Sequence, residues 1–164
     1  MGADVVDLQG SHPRAAQVGN AYSLSLFVSG KPIAKARPRV NRSTGRAYTP
    51  ETTVTWEQSV GWQVREQLTR ISIEQGLRLP LPFQGRVVID MRFNFVKPRG
   101  TPKRVQHKLK KPDYDNLAKG VTDALQTVGL YRDDAQVTDA TVRKRFADEA
   151  HPEGVEIEVT AWAE

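Results

Sequence analysis

The chain has 164 residues, 38% of them apolar, and carries 24 basic against 19 acidic side chains, a net charge of +5. That length suits one domain with a real hydrophobic core. Without cysteine there are no disulfides or thiolate metal sites, three scattered histidines make no zinc cluster, and no apolar run is long enough to span a membrane. No secretory signal pattern or internal repeat is visible, and a reducing cytoplasm is the simplest setting.

Residues 1–20 are small and polar without periodicity, which predicts a loose N-terminal tail ahead of one domain over residues 21–164. Leu24, Leu26 and Val28 then alternate with Ser23, Ser25 and Ser29, as in a half-buried strand. The segment "SGKPIAKARPRVNRSTGRAYT" is rich in proline and glycine and predicts an extended loop. Thr49 is placed to cap a helix with Pro50 at its first position. Trp56, Val60, Val64, Leu68 and Ile71 give that helix an apolar stripe out to about Gln75. Trp56 reads as core rather than as a base-stacking platform.

Val87, Ile89, Met91, Phe93 and Phe95 face one way from the next strand, and Arg86, Asp90, Arg92 and Asn94 face the other. A long loop with three prolines, "KPRGTPKRVQHKLKKP", leads to a second helix over Asn116–Val128. Leu117, Val121, Ala124, Leu125 and Val128 form its stripe, and Gly129 suits the position past its end. "LYRDDAQV" turns into a strand that ends near Phe146, and Val155, Ile157, Val159 and Ala161 mark the last one. The order β-α-β-α-β-β predicts an α+β fold with one mixed sheet and the helices packed on one face.

The basic charge is concentrated. Lys31, Lys35, Arg37, Arg39, Arg42 and Arg46 lie in one acid-free stretch, and Lys97, Arg99, Lys103, Arg104, Lys108, Lys110 and Lys111 in another. Those thirteen residues leave the rest of the chain at −8. Two such stretches in one small domain point to a polyanion-binding surface. Lys35, Arg37, Arg39, Lys108, Lys110 and Lys111 are the candidate nucleic-acid contacts.

Within "KKPDYDNLAKGVTDAL", Pro112 keeps Lys111 out of the helical region, so Asp113 is placed in extended chain before the helix. Asp115 is a good helix cap, which leaves Asp113 and the pair Asp133–Asp134 without a structural duty. Carboxylates without cysteine or histidine partners make an oxygen-only site that suits Mg²⁺, or Mn²⁺, over zinc. Lys119 lies one turn beyond Asp115, and Asp123 one turn further. Two readings stand for Lys119: a surface ladder of ion pairs worth little, or a cation that stabilises charge on a reacting phosphate. Carboxylates, magnesium and a basic surface together suit phosphodiester hydrolysis.

The motif "KPDYDNLAKGVTDAL" followed by "YRDDAQV" resembles that of the RusA-type Holliday junction resolvases, and "GKPIAKARPR" with the following "YT" resembles the amino-terminal part of many members. The resemblance runs from about Leu24 to Ala161 and leaves the first twenty residues without a counterpart. It implies a homodimeric, magnesium-dependent endonuclease, bacterial or phage- or prophage-encoded, that cuts branched DNA (four-way junctions) by paired symmetric nicks. Asp113, Asp115 and Asp134 would be the metal-binding carboxylates and Lys119 the catalytic lysine, with Asp133 the second choice for the third ligand. Paired cuts on a two-fold junction suit two active sites related by an isologous interface. Phe93, Phe95 and the aromatic faces of the first helix are candidates for that interface.

Two other readings are available. The basic loops alone would make a DNA-binding protein without chemistry, its acids serving as caps and turns. "PD" at Pro112 invites a nuclease of the PD…(D/E)xK kind, but that pattern wants its acid-x-lysine on a strand, and here the nearest acid before Lys119 lies four residues back on a helix.

Overall fold

The computed structural model describes residues 12–164. Five strands form one sheet in the order β1-β2-β7-β5-β6. They are β1 (Arg14–Val18), β2 (Ala21–Ser29), β5 (Val87–Phe95), β6 (Val137–Phe146) and β7 (Gly154–Trp162). Neighbours are antiparallel except β5 and β6, which run parallel and are joined through helix α2 (Tyr114–Thr127). Helix α1 (Glu51–Gln75) follows a small hairpin of β3 (Arg39–Val40) and β4 (Ala47–Tyr48). The α+β class, the mixed sheet and the order of the predicted elements are those read from the sequence.

Alternation decides which face is buried. Leu24, Leu26 and Val28 of β2, Val87, Ile89, Met91 and Phe93 of β5, and Val155, Ile157 and Val159 of β7 enter one core with the stripes of both helices. Trp56 belongs to that core. So do Phe93 and Phe95, which removes both from the candidate interface residues; on the first helix the aromatic left outside is Trp62, 66% exposed. The opposite sheet face is polar, with Asp90 paired to Arg143 and Arg92 to Glu156.

Two expectations change in extent. The loose tail predicted over residues 1–20 contains β1, which pairs Arg14–Val18 with Ala21–Ser25 through a turn where Gly19 takes a positive φ of 61°. This strand buries little, so it carries no apolar alternation to read. Residues 1–11 lie outside the described residues. Likewise, the segment read as an extended loop holds the β3–β4 hairpin. Asn41 Oδ1 accepts from the N–H groups of Ser43 and Thr44, and Gly45 N–H bonds to the Asn41 carbonyl at 2.8 Å, which closes its turn.

Helix boundaries also shift. Pro50, expected as the first helical residue, sits instead at the N-cap with an extended ψ of 139°, and its carbonyl accepts from Thr53 and Val54. Asp113, not Asp115, is the N-cap of α2, and its carbonyl accepts from Leu117 at 3.1 Å. Proline restricts the residue before it rather than the one after, so the helix can start as soon as Tyr114. Among the described residues no helix is long and apolar enough to cross a membrane.

One feature of α1 is absent from its apolar stripe. Strand β1 stops opposite Ser25, so the outer edge of β2 beyond that point has no strand partner. Gln67 takes that place: its Oε1 accepts from Phe27 N–H at 2.9 Å and its Nε2 donates to the Phe27 carbonyl at 2.6 Å. One turn earlier, Gln63 does the same for Ser29 at 2.9 and 3.1 Å. The helix thus satisfies edge backbone groups that would otherwise face it unpaired.

Candidate active site along the second helix

Helix α2 has two faces. Leu117, Val121, Ala124 and Leu125 are buried against the sheet. Asp115, Lys119 and Asp123, each four residues apart, line up on the other face. Lys119 Nζ reaches Asp123 Oδ1 at 2.9 Å and Asp134 Oδ2 at 3.0 Å. Asp123 in turn receives Lys35 Nζ on Oδ2 at 2.6 Å, and Lys35 also lies 3.1 Å from Glu57 Oε1 of α1. An alternating chain of charges, Glu57–Lys35–Asp123–Lys119–Asp134, therefore joins α1, the first basic segment, α2 and the turn before β6.

That turn explains the two adjacent aspartates. Asp133 caps a short 3₁₀ turn over Asp134–Gln136, its Oδ1 accepting from Ala135 N–H at 2.8 Å. Gln136 Oε1 accepts from the N–H groups of Arg132 and Asp133, and its Nε2 donates to the carbonyls of Phe83 and Gly85. Asp133 is thereby committed to the backbone, and Asp134 is the member of the pair that faces Lys119.

The electrostatics follow the contacts. Hydrogen bonding to Asp123, then to Asp134, raises the Lys119 pKa above its ordinary value. Its bond to Lys119 holds the Asp134 carboxyl below the usual range. Lys35 is raised first by Asp123, against an opposing effect of burial. Beneath them, burial and then Asp123 and Asp134 push the Tyr131 phenol far up, so it stays protonated and donates to the Thr122 carbonyl at 2.7 Å.

Asp113, Lys35, Lys108 and Lys111 of the other predicted residues gather near the start of α2. Asp113 lines an open groove of about 530 Å³ with Lys31, Lys35, Lys108, Lys111 and Asn116. Here the two basic segments meet: Lys35 N–H donates to the Asn116 carbonyl at 2.9 Å, and the Lys108 ammonium lies 4.9 Å from the centre of the Phe95 ring. Burial, then the charges of Lys144, Lys31 and Lys110, lower the Lys108 pKa. Lys110 and Lys111 are exposed beside it, and Arg37 and Arg39 are exposed leading into the hairpin. Asp113 makes no side-chain capping bond. Asp113, Asp115 and Asp134 do not form a closed set: among the described residues, no three carboxylate or imidazole side chains are gathered to hold an ion.

Sequence reasoning missed Glu57 as a partner and the link between Lys35 and Asp123. Both are contacts between residues distant in the chain, and no local spacing signals them. Asp123 was visible only as one rung of a helical ladder.

The two-helix α+β domain sets a chain of lysine–carboxylate pairs near a basic groove, and comparison with known proteins gives the class. The model of the family described as endodeoxyribonuclease RusA matches residues 29–160, and the chain belongs to that family. A relative from Bacillus subtilis (strain 168), the uncharacterized protein YqaN, is 28% identical over 140 residues, covering 84% of this chain and 98% of its own. A solved structure of a protein of unknown function from Agrobacterium tumefaciens is similar over 92% of this chain and 82% of its own, at 11% identity and a TM-score of 0.43; that likeness is too slight to bear on the site.

Proposed function

We propose that the protein resolves four-way DNA junctions in the bacterial cytoplasm, as a homodimer that makes paired, symmetric nicks with the help of Mg²⁺. The observation that carries the reading is the pair between Lys119 of α2 and Asp134 of the turn before β6, joined through Asp123 and Lys35 to a groove lined by both basic segments.

The donor chemistry fits a hard divalent ion. Asp113, Asp115 and Asp134 are exposed carboxylates with no sulfur or imidazole competing among them. Mg²⁺ keeps several waters and binds through one or two carboxylates plus substrate phosphate, so carboxylates that are not gathered as a trio before DNA binds can still serve it. These three residues would hold it, with Mn²⁺ an acceptable substitute. When bound, the ion would supply a water of lowered pKa and offset charge on the attacked phosphate. Lys119 presents an ammonium where negative charge develops on that phosphate. Lys31, Lys108, Lys110 and Lys111 hold the DNA backbone along the groove, and Arg37 and Arg39 extend the contact toward the hairpin. Asp133, already bonded within its own turn, is excluded from the ligand set on this reading.

The test is a cleavage panel of synthetic four-way junction, flap, duplex and single strand with Mg²⁺, mapped at nucleotide resolution. Symmetric nicks confined to the junction, lost in Asp115→Asn, are expected. Metal-independent binding without any product would leave a DNA-binding protein with no chemistry. Full activity from a species that light scattering shows to be monomeric would refute the homodimer.

A further inference from the structure

The charge chain behind Lys119 is more than the site needs if each pair is merely a surface contact. We propose that Asp123 is a positioning residue: it fixes the Lys119 ammonium toward the reacting phosphate, and Lys35 and Glu57 fix Asp123 from behind. The proposal rests on the nuclease reading above and adds to it three residues that have no other assigned role in the chemistry.

Three observations carry it. First, both Asp123 oxygens are engaged, one by each lysine, so the carboxylate has a set orientation. Second, the chain is better buried at one end. The side chains of Glu57, Lys35 and Asp123 are 24%, 32% and 22% exposed, whereas Lys119 and Asp134 are 52% and 48% exposed. The inner three are placed to anchor and the outer two to react. Third, helix stability does not account for the pairing. A lysine placed four residues before its acid is the less favourable order along a helix, and Lys35 reaches Asp123 from a different segment.

The physical role is entropic. A lysine side chain has many rotamers, and a solvated ammonium samples many positions. Asp134, the other partner of Lys119, is also a proposed metal ligand, so a bound ion would compete with Lys119 for its carboxylate. Asp123 is then the contact that keeps Lys119 in place. Lys35, predicted from the sequence as a DNA contact, has its charge met by two carboxylates of its own chain and acts through Asp123 instead.

The experiment is single-turnover cleavage of a four-way junction by wild type, Asp123→Asn, Lys119→Met and the double variant, with DNA affinity measured separately without Mg²⁺. Asp123→Asn is expected to slow cleavage about tenfold at unchanged affinity, since small misplacements are costly to the chemical step. The double variant should be no slower than Lys119→Met alone, and Asp123→Glu should recover most of the lost rate. Additive losses, or a loss in affinity rather than rate, would overturn the proposal. A second measurement does not depend on cleavage: labelling by an amine-reactive reagent, read by mass spectrometry, should hit Lys119 several-fold faster in Asp123→Asn. Unchanged labelling also overturns it. If Asp123→Asn fails to fold, Lys35→Gln is expected to show the same pattern with a smaller loss. If wild type cuts no DNA, the nuclease reading is what has failed, and the labelling still decides whether Asp123 holds Lys119.

Discussion

Replacing Gln67 by alanine should weaken the domain by an amount the structure fixes. The side chain accepts from Phe27 N–H and donates to the Phe27 carbonyl, at a point on β2 where β1 has already ended. Truncation leaves one donor and one acceptor unpaired under α1. Each unmet buried group costs about 1–3 kcal/mol, and because Phe27 is only partly buried the lower end applies, giving about 2 kcal/mol for the pair. For a chain of this size that lowers Tm by about 4–8 °C. Calorimetry or a circular-dichroism melt reads the shift, and hydrogen exchange by NMR should show the Phe27 amide losing protection. Gln67→Glu is the sharper probe. Its carboxylate can accept but not donate, so at neutral pH it faces the Phe27 carbonyl with no proton between them. Once protonated it offers both functions, so its deficit relative to wild type should shrink as the pH falls. A Gln67→Ala melt within about 1 °C of wild type would refute the reasoning, since even one unmet group exceeds that.

Gly154→Ala should destabilise by about 3 kcal/mol or more, because φ is +148° there and a Cβ would sit 2.2 Å from the Val28 carbonyl oxygen; Gly120→Ala, whose Cβ meets only ordinary contacts at 3.7 Å and beyond, should instead stabilise α2 by about 0.5–1 kcal/mol in a denaturant titration. The Lys119–Asp134 pair holds the Asp134 pKa below the ordinary 3.8, so its stabilisation is present above that pH and is lost as the pH falls through the lowered value. Melting temperatures of wild type and Asp134→Asn should therefore differ most near neutrality and converge in acid, and a constant gap would contradict the pairing. Lys108→Met should reduce the slope of log affinity for DNA against log salt by about one while weakening all DNA sequences alike; an unchanged slope would remove Lys108 from the groove contacts.

The strands and helices that were legible in the sequence are those that bury a regular stripe. Val87 to Phe95 alternates and is β5, an interior strand of the sheet; Trp56 to Ile71 repeats every three or four residues and is α1. Strand β1 and the β3–β4 hairpin escaped because they are mostly exposed, and an exposed strand needs no apolar period. Helix starts were misplaced by one or two residues because the capping side chains expected at Thr49 and Asp115 are not used: backbone carbonyls of Pro50 and Asp113 close the first turns instead. At the site, Lys119 and Asp134 stood out through their motifs. The partners that hold them did not, since Lys35 meets Asp123 across 88 positions and Glu57 lies on another helix.

The acidic pair shows how adjacent residues of one motif can take up different contacts. In "DDAQV", Asp133 and Gln136 satisfy each other's backbone and tie the turn to Phe83 and Gly85, while Val137 begins β6. Those are folding duties, and they come from the residues on either side of Asp134. The turn returns the chain from the end of α2 to an edge strand parallel to β5, and this path brings Asp134 back within 3.0 Å of a lysine in the middle of the helix. The self-capped turn holds an exposed carboxylate at that distance without burying it. Of the two neighbouring aspartates, one is bonded within its own turn and serves the fold, and the other pairs across the crossover and is the one the proposed chemistry would use.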